Sequence, residues 1–279
     1  MSDILFIADF FVDQVVGGGE LNNESLVDKL RGRGYIVRPI NSHRVGRNDI
    51  LQSKSVIVSN FINLSEDIKK CLESKNYVIY EHDHKYLRSR DPSIYPNFLV
   101  PNGLIINKEF YRNATAVLCQ STFHAGIVKS NLQLDNIISL GGNLWSDEHF
   151  LLLEQVCREV EKKPTYAIMQ SNTPHKNTHK AIQYCEALGL DYVLISPSDP
   201  ATFLRELGSH STLIFFPKTP ETLSRIVVEA RMMGMNTKTT NNIGAIHEEW
   251  FSKKGLDLIN YMCYKQEDII NIVLENLNV

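Results

Sequence analysis

Two glutamates, Glu221 and Glu229, bracket the run Glu221-Thr-Leu-Ser-Arg-Ile-Val-Val-Glu229. The apolar stretch Leu213-Ile-Phe-Phe216 and then Pro217 precede it; Met232-Met-Gly234 follows, and Gly234 is a helix-stop signal. The pattern predicts a strand, a junction carrying Glu221, and a helix with Glu229 about two turns inside it. In α/β proteins such junctions face the crevice at the carboxyl ends of parallel strands, where ligands bind. Free N–H groups of Thr222, Leu223 and Ser224 at the helix start favour an anion. A carboxylate further in accepts hydrogen bonds from a vicinal diol such as a ribose. Phosphate on the amides and hydroxyls on the glutamates is the chemistry of a sugar nucleotide. A surface helix that happens to carry two glutamates produces the same string, so other residues have to decide.

Lys176, in Pro174-His-Lys-Asn-Thr-His179, offers a diphosphate a compact, flexible positive charge. Glu81-His-Asp-His84 follows the apolar run Tyr77-Val-Ile-Tyr80, which puts polar side chains at a strand's carboxyl end. A solvated loop is the plain alternative there. Gly17-Gly-Gly-Glu20 lacks the GxGxxG spacing of a dinucleotide site, so no NAD is expected. Its glycines permit either close approach to a ligand or a tight strand–helix turn. No Asp-x-Asp occurs and the short-spaced histidines lack distant ligands, so no metal site and no cofactor is expected.

These pieces, in this order, resemble the retaining glycosyltransferases of the GT-B fold, family 4-like (glycosyl transferases group 1). Phe216-Pro-(x3)-Glu221 through Glu229-Ala resembles their donor signature, and Gly17-Gly-Gly-Glu20 their glycine-rich loop. Lys176-Asn177 resembles their lysine-bearing loop, and Thr239-Thr-Asn-Asn-Ile-Gly-Ala245 the turn after the donor helix. The resemblance spans most of the chain and implies two Rossmann-like domains facing across a cleft. It implies a sugar donor linked to UDP, GDP or ADP, a carbohydrate or lipid-linked acceptor, and retention at the anomeric carbon. Residue by residue it implies that Glu221 holds sugar hydroxyls and His82 contacts the transferred sugar, with His84 as the alternative. It places donor phosphates near Lys176 and the amides of Thr222, Leu223 and Ser224, the ribose on Glu229, and the donor phosphates or the acceptor near Gly17 and Gly18. One departure stands out. Relatives carry an arginine a few residues before the lysine, where this chain has Gln170, Ser171 and Asn172. Arg225 and Lys218 are the candidates to compensate. The departure favours a rival of another class, a catalytically weak nucleotide-sugar or glycan-binding module. A nucleotide-sugar epimerase of similar fold is a third reading.

The bulk properties fit. The chain has 279 residues, 43% hydrophobic and 22% charged, with a net charge of −3. That is an ordinary globular protein, without the field that attracts nucleic acid. The apolar runs are strand-sized, so no transmembrane segment is expected, and the N-terminus lacks a signal-peptide pattern. The five cysteines are scattered without a CxxC pair, which indicates reduced thiols and a cytoplasmic setting.

The elements that must position these residues alternate strand and helix. Strands are predicted at Ile4–Ala8, Tyr35–Pro39, Ser55–Ser59, Tyr77–Tyr80, Ala116–Cys119 and Asn136–Ser139, with helices at Glu20–Gly34, Glu66–Ser74 and Thr122–Ser130. A charged helix, Phe150–Lys163, joins the halves, and the pattern restarts. Strands at Thr165–Met169, Tyr192–Ile195 and Leu213–Phe216 then alternate with helices at Thr178–Leu188, Ala201–Leu207 and the donor helix. Alternation implies parallel sheets and the restart implies two of them. The domains are expected at 1–152, the acceptor side, and 163–262, the donor side, with a terminal helix at 264–279 packing back on the first.

Overall fold

The computed structural model describes residues 2–196 and 198–279. Met1, where the expected first domain begins, lies outside the described residues, as does Pro197. The chain forms two units, Met1–Trp145 with Gln266–Val279, and Ser146–Lys265.

In the first unit the order is β1 (Ser2–Ala8), α1 (Gly18–Gly32), β2 (Val37–Asn41), α2 (Arg47–Leu51), β3 (Ser53–Val58), α3 (Glu66–Leu72), β4 (Tyr77–Glu81), α4 (Lys108–Asn113), β5 (Ala116–Cys119), α5 (Thr122–Leu132) and β6 (Ile137–Ser139). The six strands make one parallel sheet, ordered β2-β1-β3-β4-β5-β6. Its central strands are apolar on both faces, as a covered parallel sheet requires. Alternate residues serve two cores. Leu5, Ile7, Val56, Val58, Ile79 and Val117 face one. Ile4, Phe6, Ile57, Val78 and Leu118 face the other, which Leu26 and Leu30 of α1 and the terminal Ile269, Val273 and Leu277 close.

Helix α1 starts at Gly18, two residues before the predicted start. Gly17 is its extended N-cap, and Glu20 folds back over it: a Cβ on Gly17 would lie 2.5 Å from Glu20 Oε2. The segment between β4 and α4 has no long element. Three 3-10 turns and an antiparallel bridge between Leu87 and Ile105 organise it.

The second unit runs α6 (Asp147–Glu159), β7 (Lys163–Met169), α7 (Thr178–Leu188), β8 (Tyr192–Ile195), α8 (Pro200–Gly208), β9 (His210–Phe215), α9 (Arg225–Met232) and β10 (Asn236–Thr239); α10 (Leu256–Leu277) starts here and ends in the first unit. Its parallel sheet is ordered β10-β9-β7-β8. Ile168 and Ile214 pack against Ala181 and Cys185 of α7. Helix α6 lies against α8 so closely that a Cβ on Gly208 would sit 2.3 Å from Val156 Cγ1.

The donor helix corrects the expectation. It begins at Arg225, with Ser224 as N-cap, so Glu229 sits one turn inside it instead of two. Thr222 and Leu223 precede the helix. The reason is a long-range pairing. Glu221 bridges Ile243 in parallel: its N–H donates to Asn242 O at 2.7 Å, and its carbonyl accepts from Gly244 N–H at 2.8 Å. Leu223 O accepts from Ala245 N–H at 3.1 Å. Backbone engaged in this way is not free to wind into a helix.

Candidate functional site

Both units place polar side chains at the carboxyl edges of their sheets. In the first, β4 delivers His82. Its Nε2 lies 2.6 Å from Asn23 Oδ1, and Gln120 Nε2 donates to its Nδ1. An amide oxygen can only accept, so Nε2 carries the proton and the ring is neutral. Asn23 Oδ1 also accepts from Ser59 Oγ at 2.9 Å. Burial, reinforced by the positive charge of Lys85, pushes the His82 pKa down to about 3. A ring held neutral with both nitrogens engaged does not act as a proton shuttle near neutrality. Gly19 in the first turn of α1 brings backbone against the ring, since a Cβ there would touch His82 Cγ at 3.6 Å. Gly17 and Gly18 open the same helix, which sets the glycine run and His82 side by side.

His84 is buried, its ring edge-on to His124 and Tyr86. His124 donates from Nε2 to Asp83 O at 2.9 Å. Beneath them Lys85 is 2% exposed and Glu81 0%. Lys85 Nζ pairs with Glu81 and with Asp83, 3.0 Å away, and Tyr111 OH donates to Glu81. Burial alone would discharge the lysine, but Asp83 and Glu81 outweigh it and hold its pKa above the ordinary value. This buried pair fixes the strand end from which His82 projects.

In the second unit three loops meet. The loop after β7 turns through Pro174–Lys176 into the left-handed Asn177, which caps α7. Asn177 Nδ2 donates to Phe216 O at 3.0 Å, and Lys218 N–H to His175 O at 2.8 Å. These bonds tie it to the loop after β9, which the pairing at Glu221 ties in turn to the loop after β10. Lys176 Nζ and Glu221 Oε1 then meet at 2.8 Å, with the side chains 28% and 15% exposed. Two residues 45 positions apart in sequence are thereby one ion pair.

Glu229 has other partners. Arg225 Nη2 lies 3.3 Å from its Oε1, and His149 Nε2 of α6 lies 3.1 Å from the same oxygen. Arg225, a candidate substitute for the arginine absent at 170–172, is engaged with Glu229 inside α9. Lys218 is exposed. Ser224 adopts φ 76°, rare for a residue with a side chain, and its buried Oγ has no hydrogen-bond partner. Leu223 is buried and Thr222 is partly exposed.

Sequence reasoning passed over Asn23, Gln120, His124 and His149. Asn23 left a signal: it shares a helix face with Leu26, Val27 and Leu30, where an apolar residue is expected. His149 left none, because the predicted helix began at Phe150.

No protein-family model and no curated protein matches the sequence. Solved structures do. HepE of Anabaena, in complex with UDP and glucose, matches with a TM-score of 0.54 at 12% identity, over 99% of this chain and 96% of that one. The catalytic domain of starch synthase IV from Arabidopsis thaliana, bound to ADP and acarbose, matches at 0.55 and 11%, over 100% and 95%. A UDP-forming α,α-trehalose-phosphate synthase from Burkholderia xenovorans matches at 0.59 and 9%, over 100% and 99%. With two parallel α/β units in this order, the chain has the GT-B fold of the group 1-like glycosyltransferases.

Proposed function

We propose that the protein is a retaining, metal-independent glycosyltransferase that moves a sugar from a nucleoside diphosphate sugar to an acceptor hydroxyl. The observation that carries this reading is the second-unit site: Lys176 paired with Glu221 at 2.8 Å, and Glu229 on the adjoining helix beside Arg225. The complexes of similarly folded proteins with UDP or ADP support a donor linked to one of these, with GDP as the remaining candidate. The acceptor is a carbohydrate or a lipid-linked hydroxyl. Among the described residues no helix is long and apolar enough to cross a membrane. The five free cysteines support a reducing, cytoplasmic setting.

Breaking the glycosyl bond leaves negative charge on the diphosphate, and that charge has to be met in the transition state. Lys176 supplies a cation, and the amides of Thr222, Leu223 and Ser224 are assigned to the same phosphates. When the diphosphate takes up Lys176, Glu221 is released from its partner and can accept from the hydroxyls of the sugar. Donor arrival thereby switches the glutamate from structural partner to ligand. Glu229 takes the ribose, and the amides at Gly17 and Gly18 serve the donor phosphates. His82, neutral and fixed, contacts the transferred sugar as a shaped surface rather than as an acid or base.

The test is calorimetry against UDP, GDP, ADP and their sugars, followed by transfer and hydrolysis assays with the tightest donor. Donor binding with transfer that survives EDTA is the expected result. Loss of activity in EDTA, restored by manganese or magnesium, would refute the metal-free mechanism. The absence of arginine at 170–172, with Arg225 engaged elsewhere, favours the second reading, a catalytically weak binding module. Donor binding without transfer or hydrolysis across a broad acceptor panel would select it.

A further inference from the structure

We infer that His149 is a positioning residue of the nucleotide site, holding the Glu229 carboxylate toward the ribose; this rests on the nucleotide-sugar reading above. The Glu229 side chain is 10% exposed. A carboxylate that deep has to be compensated by charge or hydrogen bonds. Arg225 provides part of this from the preceding turn of α9. His149 approaches from a different helix, and its Nε2 comes within 3.1 Å of the same Oε1.

That approach is incomplete in an informative way. The distance is that of a hydrogen bond, yet the alignment is not, and the buried Nε2 has no hydrogen-bond partner. A buried polar atom left in this state calls for an explanation. The ring is not adrift. Ser146 Oγ accepts from His149 N–H at 3.2 Å, and Phe150, Leu153 and Val156 seat α6 in the core. The helix therefore fixes the backbone from which the imidazole projects, and a turn of the carboxylate completes the alignment. When a ribose diol draws on Glu229, a small rotation brings Oε1 into line with Nε2. The unmade bond is then made in the bound state, which favours ligands that have both ribose hydroxyls.

The experiment measures calorimetric affinity for UDP, GDP and ADP and for the 2′-deoxy form of each. It compares the parent with His149→Ala, His149→Gln, Glu229→Gln and the double variant His149→Ala/Glu229→Gln. His149→Ala should lose about fivefold or more for the ribose form of the preferred nucleotide, the scale of one hydrogen bond, and less than about twofold for its deoxy form. His149→Gln, which keeps a nitrogen donor, should recover most of the loss. In the Glu229→Gln background the alanine change should add nothing. Thermal melts identify a variant that fails to fold, and the glutamine variant then carries the comparison. If the parent binds none of the nucleotides, the nucleotide-site reading falls and takes this inference with it. If the parent binds, and His149→Ala treats ribose and deoxyribose forms as the parent does, only the assignment of His149 is overturned.

Discussion

At the edge of the first sheet His82 commits both ring nitrogens to Asn23 and Gln120, above a fully buried Lys85–Glu81 pair. At the corresponding edge of the second sheet Lys176 and Glu221 face each other across a partly exposed ion pair, and Ser224 Oγ and His149 Nε2 are buried without hydrogen bonds. Both clusters strand buried atoms, Asn23 Nδ2 and His84 Nε2 in the first as well as those two in the second, but the first seals its central ion pair from solvent and the second keeps its pair within reach. The difference teaches what each can do. The first is a preformed wall built over a charge pair that solvent and ligand do not reach. The second can exchange an internal partner for a ligand.

The contrast is open to attack, beginning where the effect is largest. Lys85→Met leaves the Glu81 carboxylate buried without its cation and should cost about 3–5 kcal/mol of stability, read by denaturant unfolding. A loss under about 1 kcal/mol would mean that the first cluster is not sealed. Next, Glu229→Ala should weaken nucleotide-sugar binding by about 1.5–3 kcal/mol, the range for hydrogen bonds to a charged group. Equal calorimetric affinities for variant and parent would remove Glu229 from the site.

Acid gives a third probe. Burial lowers the His82 pKa from 6.5 to about 3 and that of His124 from 6.5 to about 4. Between those limits the unfolded chain binds protons that the folded chain refuses, so stability is full above about pH 6.5 and falls as the pH drops toward the folded values. His82→Gln should flatten that fall in melts taken from about pH 7 to pH 4.5; an unchanged slope would show that the ring is not sealed. The smallest effect belongs to Lys176→Met. Without ligand its solvent-screened pair should matter by less than about 1 kcal/mol, while nucleotide affinity drops well beyond that. Stability and affinity falling together would erase the distinction between the two clusters.

Local patterns carried much of this architecture. The apolar runs at Ala116–Cys119 and Tyr192–Ile195 are strands with those bounds, and Thr178–Leu188 is a helix with those bounds. Arg47–Leu51 and Lys108–Asn113 went unseen because five or six residues are too few to show a helical period. The start of the donor helix was misplaced because the backbone of Glu221 and Leu223 pairs with residues 242–245, and no local signal reports a partner some twenty residues away. The Glu-x7-Glu spacing drew attention to the right segment. That Lys176 would meet Glu221, and that Arg225 and His149 would meet Glu229, depends on loops and helices converging in space, which spacing along the chain does not encode.

Ser224 has a consequence for anyone who sets out to make this protein more robust. Its left-handed backbone is strained for a serine by about 1–2 kcal/mol, and its hydroxyl is stranded without a hydrogen bond. Glycine would relieve both at once, and the entropy it adds to the unfolded chain is the smaller effect. A screen that ranked variants by melting temperature alone would therefore reward Ser224→Gly. Only the backbone amide of this position is assigned to the donor phosphates, and glycine keeps that amide, so the change should raise stability without costing donor affinity.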